Sequence, residues 1–354
     1  MQASPLLDHH RRAGRRLVPR PEAPTHPTPL YFAPPPEEYR AAHSGAALFD
    51  ESERERLTVR GKDAADFLHR LLANHVKALA IGGVNRNCLL SPKGKVLFLF
   101  ECVRQAEHFE LELPPGTAKA LAEALERFHF SEQVEFEDTS ASFAPLVLEG
   151  TLARACLQRA FGASEPHPDG VVRTLEWRGA PLTVAALGHE RWRIDAGSVA
   201  LVDAWKALLA AGATPCGLVV RDSRRVEAAR ALFGLDVDEN VYPAEAGLDD
   251  AFALDKGCYI GQEVVAKIDT YGGLNKRLVP LAVTHSDPVA RGTKLFRAED
   301  GERRELGLVT SWAYSFALDT GLVLAYVKRR HQEVGTEFDL GDGPARARIV
   351  APPG

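Results

Sequence analysis

The residues best suited to chemistry lie in one stretch, Asp255-Lys256-Gly257-Cys258-Tyr259-Ile260-Gly261-Gln262-Glu263. Its cysteine, as thiolate, can attack an electrophile or be oxidised reversibly. Gly257 and Gly261 bracket Cys258-Tyr259-Ile260, and glycine costs backbone entropy unless the chain needs positive φ or close approach by another group. A tight backbone passage is therefore expected. The following Gln262 to Ile268 reads as a helical turn or two, which places Cys258 at or just before a helix N-terminus. Orphan N–H groups and the helix dipole favour thiolate there. The competing reading is a thiol buried near a helix start.

Composition bounds what surrounds this stretch. At 354 residues the chain exceeds one ordinary core and suggests two or three domains. With 45% hydrophobic and 26% charged residues it is of the globular, water-soluble class. A net charge of −5 predicts no general attraction to nucleic acid. No apolar run approaches the ~20 residues that span a bilayer, and the start lacks the order of a signal peptide. A cytoplasmic protein without membrane or nucleic-acid partners is expected. Five widely spaced cysteines with no C-x-x-C pair argue against a disulfide framework and against a self-contained metal site.

The elements that must position the stretch follow in order. Residues 1–36 are rich in arginine and proline, carry almost no apolar periodicity and read as a disordered tail. Arg56 to Val59 alternates as a strand. Ala64, Phe67, Leu68, Leu71 and Leu72 then fall at helical spacing behind Asp63, a residue type that can cap the open N–H groups, with Asn74 at the helix end. Val96 to Phe100 is a nearly continuous apolar strand, and His108 to Leu113 alternates as a half-exposed partner. Thr117 to Phe130 reads as a helix. A second lobe repeats the theme with strands at 146–150, 181–186 and 191–195 and helices at 151–161 and from Ser198 to Leu209. A charge-rich segment carries Arg221-Asp222, Arg225 and Glu227. After Leu278, short strands with turn signals predict a small β-barrel. The class is α+β.

Lys256-Gly257-Cys258-Tyr259-Ile260-Gly261-Gln262-Glu263 resembles the signature of the YgfZ-type folate-binding family, relatives of the glycine-cleavage T-protein, an aminomethyltransferase. Gly217-Leu218 with Arg221-Asp222, Arg225 and Glu227 is similar to a G-L-x-x-R-D-x-x-R-x-E segment of both branches, and Ala244 to Leu248 to their P-x-E-A-G-L loop. The resemblance covers about 45–350. It implies a T-protein-like three-domain ring with a ferredoxin-like lobe and a C-terminal barrel, arranged as a folate-binding region over 37–280 in two discontinuous lobes and a barrel over 281–354. It also implies a tetrahydrofolate-binding accessory protein, monomeric and without classical turnover, that supports assembly or repair of iron–sulfur enzymes. Cys258 is then the functional thiol, whether as nucleophile, redox group or transient cluster ligand.

The implied folate-binding set is Asn74, Arg225, Glu227, Lys256, Tyr259, Gln262, Glu263 and Arg277, with no metal ligands. Lys256, Arg225 and Arg277 are expected to favour thiolate at Cys258, and Arg277 with Lys276 suits the glutamate tail of folate. Arg225 with Glu227 also reads as a scaffold pair, and Trp312 and Tyr314 as packing residues. The alternative is an aminomethyltransferase-like enzyme passing a one-carbon unit to tetrahydrofolate. Against it, Phe98 and Leu99 stand where the resemblance to the T-protein strand expects paired aspartates. Arg193, in Gly188 to Arg193, likewise stands where a pterin-binding glutamate is expected.

Overall fold

The computed structural model describes residues 4–163, 168–188 and 190–353, with the backbone alone of Tyr271. The chain divides into two compact units. One comprises Met1–Leu89, Phe98–Val220 and Asp250–Ile260, the other Leu90–Leu97, Arg221–Asp249 and Gly261–Gly354.

The first unit opens with α1 (Leu7–Arg12), the hairpin β1 (Leu17–Arg20) and β2 (Ala23–Pro29), and α2 (Pro35–Ser44). This corrects the expectation of a disordered tail over 1–36. The segment lacks long periodicity because its elements are short, yet each of them buries one or more side chains. Leu6 joins the core with Trp205. His10 stacks edge-on against Trp205 and Phe32, and its Nε2 lies 3.1 Å from Asp50 Oδ2. Burial opposes ionisation of Asp50, but the His10 contact and the Ser52 hydrogen bonds prevail and hold its carboxyl below the usual range. Arg20 is buried against Glu53 at 2.5 Å. The prolines at 34–36 start α2, since a proline in the first turn forfeits only an N–H that has no helical partner.

The unit continues with β3 (Ala47–Asp50), β4 (Glu55–Arg60), α3 (Ala64–Leu71), β5 (Val84–Leu90), β6 (Val96–Arg104), β7 (His108–Leu113), α4 (Ala118–Glu126), β8 (Glu135–Asp138), β9 (Pro145–Glu149) and α5 (Ala153–Phe161). Then come β10 (Val171–Trp177), β11 (Ala180–Ala186), β12 (Arg191–Asp195), α6 (Gly197–Ala210) and β13 (Thr214–Pro215). Two sheets result, β5-β6-β7-β4-β8 and β10-β11-β12-β9-β3-β13. The apolar stripe of α3 (Phe67, Leu68, Leu71) and that of α4 (Leu121, Leu125) pack on the first sheet with Leu57, Val59, Leu111 and Leu113. On the second sheet, α5 and α6 bury Leu157, Leu201, Trp205 and Leu208 with Leu146, Leu148 and Ile194. Asp63 does not cap α3 through its side chain, and no side chain caps α6 at its N-cap residue. Asp63 accepts from Gln133 N instead, and at α6 Asp195 takes the Gly197 N–H while Ser198 donates to Ala141 O.

Helix α7 (Leu218–Glu227) leads into the second unit, which holds α8 (Gln262–Tyr271) and a closed barrel. The barrel strands are β14 (Lys276–Val283), β15 (Lys294–Glu299), β16 (Glu302–Ser315), β17 (Thr320–Lys328), β18 (Glu337–Leu340) and β19 (Arg346–Ile349), in the order β14-β17-β16-β15-β18-β19. The α+β class and the C-terminal barrel are those expected. The barrel starts at Lys276 rather than 281. Its interior is apolar, with Leu281, Leu295, Val309, Val323 and Phe338, and Trp312 packs against that core as anticipated.

Candidate functional site

The segment Asp250–Ile260 runs across the end of α3 and the edge strand β5 within the first unit, tied through Asp250, Ala251, Ala253, Asp255 and Lys256. Asn74, just past α3, donates from Nδ2 to the carbonyls of Arg86 and Asp250 at 2.9 and 2.8 Å, while its Oδ1 accepts from His75 N. Asn87, fully buried, accepts from the backbone of Asn74 and Cys88. Ala253 N bonds to Ala73 O, and Cys88 Sγ donates to Ala251 O at 3.4 Å. His75 Nε2 lies 3.1 Å from Asp255 Oδ1, and His69 Nε2 3.1 Å from Lys256 O.

Lys256 is the principal tie. Its Nζ turns inward and donates to His69 O at 2.6 Å and to Leu72 O, two carbonyls at the C-terminal end of α3 that lack helical N–H partners. An ammonium there also complements the negative end of the helix dipole. Burial lowers its pKa to about 8, against a smaller opposite pull from Cys102 and Cys88. Lys256 therefore secures the loop to α3.

The consequence for Cys258 is display. Of the five cysteines, Cys88, Cys102, Cys156 and Cys216 are buried and Cys258 is exposed. Burial pushes the Cys88 and Cys102 thiols up to about 12, so neither supplies thiolate near neutrality. A buried thiol near a helix start is thereby excluded for Cys258. Gly257 has φ +93° and open space around it, a conformation that favours glycine without crowding. Gly261, which caps α8, needs glycine twice over. Its φ is +81°, and a Cβ would come within 2.6 Å of Ser91 O and 3.0 Å of Gly94 Cα in the same unit. Tyr259, next to the thiol, is buried with an Oη that has no hydrogen-bond partner among the described residues, and burial raises its pKa to about 12.

Replacing Lys256 with methionine is expected to cost roughly 2–3 kcal/mol, since two carbonyls lose their donors. Native-state titration with a thiol reagent is expected to give one fast cysteine in the parent chain. Exposure of Cys88, whose Sγ sits under Ala251, should give two in Lys256→Met; an unchanged count would show that Lys256 does not hold the loop.

The remaining expected ligand contacts divide. Arg225 and Glu227 are buried in the second unit and serve as scaffold. Arg225 donates to Asp236 at 2.7 Å and to Ser311 at 3.0 Å. Glu227 accepts from Ser315 Oγ at 2.7 Å and from Ala317 N at 3.1 Å. Glu263 pairs with Lys267 along α8, and Arg277 is exposed with Nη2 4.0 Å from Asp249. Gln262 is half-buried, its amide without a partner among the described residues. Among the described residues no group of three or more His, Cys, Asp and Glu side chains is placed to hold a metal ion, and no helix is long and apolar enough to cross a membrane.

On β6, Phe98 packs against the core of the first sheet and Leu99 is buried. Two carboxylates that sequence reasoning passed over lie deeper. Glu101 of β6 stands directly opposite Glu112 of β7. Like charges in that relation repel, and each is answered by an arginine, Glu101 by Arg54 and Glu112 by Arg193 of the second sheet. Burial pushes Glu112 up to about 7 despite Arg193, with Glu101 adding to the rise. Strict alternation in His108-Phe109-Glu110-Leu111-Glu112-Leu113 predicts exposure for both glutamates, but Glu112 is buried because Arg193 covers it. In the segment Gly188 to Arg193, His189 lies outside the described residues.

Comparison with known proteins accounts for both units. Residues 21–256 match the GCVT N-terminal domain, and residues 276–354 match the glycine cleavage T-protein C-terminal barrel domain. An aminomethyltransferase of Symbiobacterium thermophilum is 30% identical, with 100% of this chain and 97% of that protein aligned. One of Rubrobacter xylanophilus is 30% identical over 100% of this chain and 94% of its own length. The structure of the glycine cleavage system aminomethyltransferase T from Bartonella henselae superposes with a TM-score of 0.85 at 24% identity, covering 99% of this chain and 96% of that one. With both domain models matched in order and relatives aligned along the whole chain, this protein belongs to the glycine cleavage T-protein family.

Proposed function

We propose that the chain binds a reduced folate, tetrahydrofolate or one of its one-carbon derivatives. The observation that carries this reading is the end-to-end match to proteins named aminomethyltransferase. The chain's own residues fit such a ligand in part. In the second unit the Gln262 amide has hydrogen-bonding capacity not used internally and the Arg277 guanidinium is exposed for a carboxylate; in the first, Tyr259 Oη is likewise without an internal partner among the described residues. Asn74, Arg225 and Glu227 are spent on internal bonds. In anaerobic calorimetry tetrahydrofolate is expected to bind, and at a hundredfold excess over Kd to stabilise the fold by about 2.7 kcal/mol. No binding heat and no shift of the unfolding midpoint would remove the folate reading.

For what is done with the folate, the relatives' names favour aminomethyl transfer, in which a one-carbon unit passes to tetrahydrofolate. The YgfZ-type accessory reading, support of iron–sulfur enzymes through Cys258, is favoured by two specific features: an exposed thiol on a firmly held loop, and apolar Phe98 and Leu99 on β6 where the family resemblance expects aspartates. A coupled assay for methylene-tetrahydrofolate, formed from an aminomethyl donor, separates the two. Turnover unaffected by Cys258→Ala establishes transfer. Absence of turnover, with loss of cellular iron–sulfur enzyme activity in a folded Cys258→Ala variant, establishes the accessory role.

A further inference from the structure

One end of the barrel carries an open groove of about 800 Å³ lined by Asn275, Lys276, Leu306, Lys328, Arg329 and Arg330. Its charge is not self-compensated. Lys276 of β14 stands directly opposite Lys328 of β17 in the ladder, a like-charge pairing that costs stability. The Lys276 ammonium lies 4.6 Å from the centre of the Tyr326 ring, and Lys328 Nζ donates to the Glu305 carbonyl, so neither is neutralised by a carboxylate. Arg329 and Arg330 follow at once in the chain, exposed and with no carboxylate partner among the described residues. The Arg329 backbone N–H bonds to Asn275 O, which closes the cluster onto β14.

The acidic residues in the groove wall are already engaged. Glu299 faces His331 at 3.2 Å and Arg304 at 3.9 Å, and Glu305 faces Lys294 at 2.7 Å. Four cations thus converge with no counter-charge of their own. A protein whose net charge is −5 gains nothing in stability from gathering them at one barrel end.

We propose that this groove binds a small molecule bearing a diphosphate or two closely spaced phosphate groups. The charge match selects the class. A phosphate monoester carries about −1.5 to −2 near neutrality, so two of them balance four cations, and a diphosphate, whose inner phosphate carries a single charge, balances most of them, whereas single carboxylates would have to be four in the same space. Arginine forks bind phosphate oxygens bidentately and lysines add point charge. The volume lies within the roughly 300–1,000 Å³ of small-molecule sites, so it also holds an organic body against Leu306 and the aliphatic stems of the lysines and arginines. This site lies in the barrel alone and does not depend on the folate reading.

The test is calorimetric titration of the full chain at low salt with inorganic pyrophosphate, with citrate as a carboxylate probe of similar charge. Pyrophosphate is expected to bind, more weakly as salt rises, and Arg329→Ala/Arg330→Ala to weaken it about tenfold or more. The exposed Lys119→Ala on α4 is the control and should leave binding unchanged. Because Arg329 and Arg330 are exposed, the double variant is expected to keep the parent's thermal midpoint; should it not, Lys328→Ala is read in its place. Absence of pyrophosphate binding, an affinity indifferent to these variants, or citrate binding as tightly as pyrophosphate overturns the assignment.

Discussion

Arg193→Met is expected to lower the stability of the first unit by about 3–5 kcal/mol, because it leaves a buried carboxylate beside another with one cation fewer. In a unit of this size the thermal midpoint should fall by roughly 10 °C. The pair Glu112–Arg193 joins β7 of one sheet to β12 of the other, and both side chains are buried. Removing both charges together in Glu112→Gln/Arg193→Met should recover most of the loss, since the greater part of it is the unpaired charge and not the missing attraction.

The same site predicts a pH dependence. Glu112 holds its proton up to about 7 in the folded chain and to about 4.5 when unfolded. Between those values the native state binds more protons at this site, so the contribution of Glu112 to stability is full below 4.5 and is lost as pH rises to 7. A shift of that size corresponds to roughly 3 kcal/mol. Denaturant unfolding across that range should show the decline in the parent and a smaller one in Glu112→Gln. Asp195 and Glu53, also raised by burial, contribute equally to both curves. In Arg193→Met the carboxyl loses its main counter-charge, so the decline should extend above pH 7. A Glu112→Gln curve parallel to the parent's would show that Glu112 is ionised throughout.

The second large effect belongs to Asp236→Ala, expected to destabilise the second unit by about 3–5 kcal/mol. Asp236 is fully buried and accepts four hydrogen bonds: from Arg225 at 2.7 Å, Leu232 N at 2.9 Å, Thr310 Oγ1 at 2.5 Å and Ser311 Oγ at 2.6 Å. Its own carbonyl accepts from Tyr326 Oη. The carboxylate therefore fastens the end of α7 and the turn after it to β16, while the Asp236 carbonyl adds a tie to β17. Without it, Arg225 remains buried with only Asp222, 3.9 Å away, as counter-charge. Limited proteolysis is expected to cut near 228–240 in Asp236→Ala and not in the parent. Asp236→Asn, which keeps the shape but not the charge, should cost less; equal resistance of all three proteins would show that the network is incidental.

These two carboxylates mark the border between what sequence reading reached and what it did not. Residues at helical spacing, such as Phe67, Leu68 and Leu71, and the alternating apolar residues of the barrel declared their elements, because burial of one face imposes a period that composition cannot hide. The bracketing glycines likewise announced a constrained passage around Cys258, and Gly261 proves to have no room for a Cβ. Short elements escaped: α1, β1 and β2 are too brief to show a period, and their order comes from Leu6, His10 and Arg20 burying against residues distant in the chain.

What sequence alone determined is the class, the barrel, the family resemblance and the one stretch worth chemical attention. The tertiary structure decided roles. Lys256 turns away from the thiol beside it to hold two carbonyls of α3. Asn74, Arg225 and Glu227 are spent on internal ties. Glu112 is buried where alternation would expose it. The reason is common to all of them: a polar side chain's task depends on which unsatisfied groups the fold brings within about 3 Å, and those groups come from segments far away in sequence.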